Sequence, residues 1–339
     1  MGIRGLNTCL LKTAPHTISP VSWIKWNGTR VGVDIQCFIY RALANHQCPL
    51  KTIAAQIILF REKNMTPIYI FEGKPPIEKN SIVEKRRNDR IDAFSRCAEL
   101  KLQLKNLDFD DIKNREIIRK QIHDIESQFP NITYEMKDEI KKLLYAAGIM
   151  FVTANCEADT LIAYWCRRNV LDGVVSLDLD FIARDCQLIV PKDQDFKSCI
   201  HYDPTFIRAE LGLTDSQFLD LCVLMGSDYT SHLPIVSWKL ALSCLKRGDS
   251  LGDIWAKHTF SNWRHNTKDN RFEGDIESFR RAKLILNGSL DNADELMEAI
   301  QWDKWNLGPQ KPEQNTLNEF RKLNPDWDNQ WWDCLALKL

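Results

Sequence analysis

Apolar residues gather along this chain in short continuous runs near residues 30, 67, 150, 174 and 187, and recur at helical spacing in the stretches between them. Runs such as Arg30–Asp34, Thr66–Glu72 and Gly173–Asp178 lack the in–out alternation of a half-exposed strand. They read as strands buried on both faces. Leu50–Lys63, Asp138–Ala147 and Glu157–Arg168 read as helices. Alternation of such strands with helices predicts an α/β fold with a mostly parallel central sheet and helices on both faces.

Two segments depart from that rhythm. Between Lys79 and Glu139 the chain is charge-rich, poor in strand formers and free of glycine, which predicts a helical insertion between the second and third of these strands. From Thr214 an N-cap residue leads an apolar helical face that Gly226 stops. A loop through Pro234 then reaches a second helix near Trp238–Leu245, a hairpin of the kind that can grip a duplex backbone. The last ninety residues hold seven of the eleven tryptophans and predict a small helical region packed on the body.

Composition narrows the picture. With 339 residues, 44% of them hydrophobic, the chain can bury a large core. The net charge is −1, so a nucleic-acid partner must be held by local basic patches such as Lys79–Arg90 rather than by the overall field. Eleven cysteines, none in a C-x-x-C pair, read as reduced thiols. No stretch has the length of a membrane span, no signal-peptide core is present, and Leu6 stands where a myristoylation signal needs Ser or Thr. A soluble monomer without membrane partners is expected, inside the cell in nucleus or cytoplasm, or in the host cell for a viral source.

The strand-like runs also organise the chemistry. Asp34 ends the first and Glu72 the second. Glu157 and Asp159 follow the third, Asp178 and Asp180 the fourth, and Asp228 follows the helix after Thr214. Ligand crevices form at the carboxyl ends of parallel strands, so these seven acids are expected to converge. Two bare carboxylates about 4 Å apart repel by roughly 4 kcal/mol at an effective dielectric of about 20. A hard divalent cation with oxygen ligands resolves this, and a two-metal phosphodiester hydrolase is the first chemistry to consider.

The motifs Met1–Leu6, Val33-Asp34 with Tyr40 six residues on, Phe71–Pro76, Cys156–Asp159, Asp178–Asp180 and Leu221–Tyr229 occur in the order and spacing of one family. Over roughly residues 1–245 the chain closely resembles the flap endonucleases, or XPG (RAD2)-type structure-specific 5′ nucleases. The resemblance implies a PIN-like nuclease core in two parts (1–90 and 139–250, the latter with a helix-two-turn-helix at about 214–245). It also implies a helical clamp at 91–138, with residues 251–339 as the tryptophan-rich region. It implies two Mg²⁺ ions, replaceable by Mn²⁺, with Asp34, Glu72, Glu157 and Asp159 on one side and Asp178, Asp180 and Asp228 on the other. Lys79 and Arg86 match the basic pair that stabilises phosphoryl charge, Tyr40 the aromatic that stacks on a base, and Gly2 the N-terminal glycine beside the site. The implied substrate is DNA with a 5′ flap, or a 5′ end at a single-strand to duplex junction, cut in replication, repair or recombination.

The match departs in places. Glu72 stands where the family usually has Asp, and Asp159 where Glu is common. The family's Gly-x-Gly turn is replaced by Ile235-Val-Ser237, whose backbone cannot easily take positive φ or approach a phosphate. Ser237 and Lys239 remain to contact duplex there. Gln314–Arg321 copies a sliding-clamp peptide only in part, and clamp binding is not expected. A catalytically inactive junction-binding scaffold of the same fold is the alternative reading. A phosphatase built on Asp178-Leu-Asp180 leaves Asp34, Glu157 and Asp228 unexplained.

Overall fold

A computed structural model describes residues 2–193, 196–230, 233, 236–263, 276–289 and 312–337, without the side chains of Ser81 and 258–263. In chain order the elements are α1 (Leu6–Thr13), β1 (Pro20–Val21), β2 (Arg30–Asp34), α2 (Ile35–Ala44), α3 (Pro49–Glu62), β3 (Thr66–Phe71), α4 (Asn80–Asn106), α5 (Ile112–Gln128), α6 (Tyr134–Ala146), β4 (Met150–Thr153), α7 (Ala158–Arg167), β5 (Gly173–Val175), α8 (Asp180–Ala183), β6 (Leu188–Pro191), β7 (Cys199–Tyr202), α9 (Pro204–Leu211), α10 (Asp215–Met225), α11 (Trp238–Lys246), α12 (Leu251–Trp263), α13 (Ile276–Leu286), α14 (Gln314–Leu323) and α15 (Asn329–Leu335). They form two compact units. One joins Met1–Asp34, Leu59–Lys74 and Phe151–Leu307; the other joins Ile35–Ile58, Pro75–Met150 and Gly308–Leu339.

The first unit is built on a seven-stranded sheet of order β1-β7-β6-β5-β2-β3-β4. β2 pairs parallel with both β3 and β5, and β5 pairs parallel with β6. β7 and then β1, the edge strand, extend the sheet antiparallel on the β6 side, a detail the apolar pattern does not announce. From β2 the chain adds β3 on one side and later β5 on the other, so the sheet changes direction at β2/β5. That is the place where α/β sheets open a crevice beyond their strand ends.

Local sequence explains the elements that frame this crevice. β2 has Val31, Gly32, Val33 and Asp34 all buried behind an exposed Arg30, the pattern of a central strand. α10 begins in a capping box, with Thr214 and Gln217 each accepting from the other's backbone N–H and so satisfying two end donors of the helix. The Gln217 amide also donates to the Leu245 carbonyl at 2.8 Å, fastening α10 to the end of α11. Asp220 of α10 pairs with Lys283 of α13 at 2.6 Å.

The second unit is helical. α4 packs along α5, with Cys97, Leu100 and Ile122 at the core of their contact, and Asp111 caps α5. Here the charge-rich stretch after Lys79 becomes three helices. α14 packs on α6 and on α15, and Trp327 stacks on Trp332 at 5.0 Å.

Candidate active site

Asp34 closes β2, and Ser176 follows the last residue of β5. The Ser176 hydroxyl donates to Asp34 Oδ2 at 2.8 Å and accepts from the Asp178 N–H at 3.1 Å. Asp178 Oδ1 in turn accepts the Asp180 N–H at 3.0 Å. One hydroxyl thus joins the ends of two adjacent parallel strands and sets the following Asp-x-Asp turn against them. Asp34 and Asp180 keep only 6% and 3% of their surface exposed, while Asp178 is half-buried.

Glu157, 5% exposed, immediately precedes α7, and Asp159 lies in its first turn, where the helix dipole favours a carboxylate. Glu72 follows β3 directly. Its neighbour Gly73 runs so close to the 154–156 segment that a Cβ there would overlap the Ala154 and Cys156 carbonyl oxygens, and the Gly73 N–H donates to Cys156 at 3.1 Å. This backbone contact holds Glu72 to the segment that leads into Glu157. Asp228 sits in a tight turn closed by reciprocal bonds between Ser227 and Thr230. The next residue, Tyr229, donates its hydroxyl to Glu157 Oε2 at 2.7 Å.

A buried cation, Arg184, lies close to these acids. Arg184, at the end of α8, donates from Nη2 to the Tyr229 oxygen at 2.6 Å. Burial pulls its guanidinium down, but Tyr229, Asp159, Glu157 and Asp180 around it prevail and raise it above its ordinary value.

Gly2 lies over the rim. Its φ is +99°, and a Cβ there would overlap Asp178 Oδ1 and come within 2.8 Å of Asp180 Oδ1. Only glycine brings backbone this close in that conformation.

The donor chemistry suits a hard divalent cation: seven carboxylates, three of them nearly buried, with neither His nor Cys in the set. Among the described residues, no three His, Cys, Asp or Glu side chains already close around a point where an ion could sit. The fit therefore rests on donor type, burial and a shared rim.

The basic and aromatic candidates belong to the helical unit. Lys79, 8% exposed, ends the turn before α4; Arg86 is exposed in the second turn of that helix, beside Lys85, Arg87 and Arg90. Tyr40 on α2 is half-buried, and its hydroxyl donates to the Gln128 carbonyl at the end of α5 at 2.7 Å. In the helical hairpin Ser237 is spent as the N-cap of α11, accepting from Leu240 N–H. Lys239 is exposed and lies over the Trp238 ring at 5.7 Å. Pro234 and Ile235 lie outside the described residues, as do Trp302 and Trp305 of the tryptophan-rich region. The clamp-like peptide falls on α14, where Leu317 and Phe320 are buried.

Sequence reasoning missed Ser176, Tyr229 and Arg184 as parts of this site. Ser176 stands two residues before Asp178, and Tyr229 directly follows Asp228. Arg184 follows Asp180 by one helical turn, but none of these spacings announces a buried partner.

An acidic rim at the direction change of a mostly parallel sheet is the arrangement of a PIN-like nuclease core. Residues 1–93 match the XPG N-terminal domain and residues 148–228 the XPG I-region; the chain belongs to this family of flap endonuclease and RAD2-type proteins. It is 28% identical over 276 residues to a protein named Flap endonuclease 1 of Ostreococcus lucimarinus, covering 75% of this chain and 67% of that one. The fold is that of the flap endonuclease-1 structure from Methanococcus jannaschii (TM-score 0.60, 16% identity, covering 94% and 95% of the two chains). It is also that of the catalytic core of Rad2 in complex with DNA substrate (TM-score 0.59, 20% identity, covering 99% of each).

Proposed function

We propose that this protein is a structure-specific 5′ nuclease that hydrolyses phosphodiester bonds of branched DNA, as a 5′ flap endonuclease, a 5′–3′ exonuclease or both. The reading rests above all on the joined ends of β2 and β5, where Ser176 ties Asp34 to Asp178. It is supported by the family matches, by the relatives named Flap endonuclease 1 and by the DNA complex of the Rad2 core.

Asp34, Glu72, Glu157 and Asp159, with Asp178, Asp180 and Asp228, would hold two Mg²⁺ ions, or Mn²⁺ in their place. When bound, such ions would supply Lewis-acid chemistry that eases ionisation of an attacking water and charge build-up on the leaving 3′ oxygen. Water adds to phosphorus, the P–O3′ bond breaks, and the products are a 5′-phosphate and a 3′-hydroxyl. Arg86 offers a planar fork to the phosphoryl oxygens and Lys79 a point charge. With its hydroxyl tied to Gln128, Tyr40 offers its ring to a base beside the scissile bond, a contact worth about 1–3 kcal/mol. Lys239, with what Ser237 retains beyond its cap, contacts the downstream duplex. One chain carries every residue this reading needs, so the protein acts as a monomer, in the compartment where DNA is replicated, repaired or recombined.

Cleavage of an end-labelled 5′-flap DNA by untagged protein, with Mg²⁺ or EDTA and with a blunt duplex as control, tests the proposal. Metal-dependent cutting at the junction is expected, and product lengths separate flap cutting from stepwise degradation. Binding of the flap without any cutting would overturn the enzyme reading in favour of the scaffold.

A further inference from the structure

Arg184 stands out among the charged residues of the sheet unit. It is 1% exposed, whereas arginine is rarely buried unless paired. A buried guanidinium is costly unless its donors and charge are both met. Its donors are met only in part: Nη2 reaches the Tyr229 oxygen at 2.6 Å, and Nε and Nη1 have no hydrogen-bond partner among the described residues. The compensation must therefore come largely from charge.

The surroundings supply it. Asp159, Glu157 and Asp180 act on Arg184 together with Tyr229, and their field outweighs its burial. α8 is a single turn that starts at Asp180, and the Arg184 N–H closes it on the Asp180 carbonyl at 3.1 Å. Asp180 and Arg184, four residues apart, thus share one face of that turn. Tyr229 then relays the contact, accepting from Arg184 and donating to Glu157.

We infer that Arg184 is a positioning residue: a resident cation that, by its charge and through Tyr229, holds Glu157, Asp159 and Asp180 together when no divalent ion occupies the rim. The inference rests on the metal-binding reading of that rim proposed above. It implies that the protein tolerates the metal-free state because part of the cation it needs is built in. Removing that charge transfers the burden to the divalent ion.

The test is the thermal midpoint of the full chain in EDTA and in saturating Mg²⁺, for the wild type, Arg184→Met and Arg184→Lys. Ligand that binds only the folded state raises the midpoint. The Mg²⁺-induced shift of Arg184→Met is expected to exceed that of the wild type by about twofold or more, because its loss of stability is concentrated in EDTA. Arg184→Lys, which keeps the charge and loses the fork, is expected to respond like the wild type. A Met variant that folds only with Mg²⁺, or that fails to fold while the Lys variant folds and responds normally, supports the same conclusion.

Equal losses in EDTA and Mg²⁺ for the Met variant would overturn the inference, since packing alone would explain them. Failure of both variants to fold would overturn it too, because shape and not charge would be what the fold needs. A wild type with no Mg²⁺-induced shift and no flap cleavage is a different failure. It removes the metal-binding reading, and this inference falls with it.

Discussion

At the scale of single residues, two glycines and one histidine carry consequences that can be measured. Gly2 has no room for a Cβ beside Asp178 and Asp180. Gly2→Ala is expected to lower flap kcat/KM by about tenfold or more by displacing the rim, with little change in thermal midpoint; unchanged kinetics would show that the rim does not need this contact. Gly73 is required for a different reason, since its φ is ordinary but the chain approaches Ala154 and Cys156 too closely for a side chain. His201 is held neutral. Burial, then the Lys25 ammonium at 2.8 Å, lowers it from 6.5 to about 4. The unfolded chain therefore binds the proton first, so this site adds no pH dependence well above pH 6.5. It makes stability fall as pH drops from 6.5 toward 4, by up to about 1.4 kcal/mol per pH unit. Denaturation at stepped pH should show a shallower acid slope in His201→Gln; an unchanged slope would place the acid sensitivity elsewhere. The positions of the seven acids at or just after strands and helices were legible in the sequence because each follows an apolar run or helix that could be read. Arg184 was not, because nothing in a sequence marks one guanidinium among many as buried.

At the scale of elements, the strands of the parallel core and β4 at one edge were readable, and β1 and β7 on the other side were not. β2 and β3 are apolar runs with Val, Ile, Tyr and Phe, whereas β1 is two residues long and β7 reads Cys-Ile-His-Tyr. Such antiparallel additions are defined by their partners rather than by their own pattern. α10 was legible from its cap, and the structure adds the Gln217 bond to α11. The insertion was legible as helix from its charge and lack of glycine. Its two long helices also keep a small core of their own at Cys97, Leu100 and Ile122. Arg86→Ala should reduce single-turnover flap cleavage by about a hundredfold while changing flap affinity far less, because the role proposed for it is charge stabilisation in the transition state. An effect confined to affinity would make α4 only a docking surface.

At the scale of the whole molecule, a net charge of −1 sits beside an acidic rim in one unit and an exposed run of Lys85, Arg86, Arg87 and Arg90 in the other. Attraction to DNA must come from such local patches, so affinity should fall with salt according to the few phosphates they meet. No helix of the described residues is long and apolar enough to cross a membrane. If the carboxylate rim performs the cleavage, Asp178→Ala should abolish it, measured as single-turnover cutting and equilibrium binding of one labelled 5′-flap DNA in Mg²⁺. No product above the EDTA control is expected, with the flap still bound about as tightly as by the wild type. Full cleavage by Asp178→Ala would contradict it.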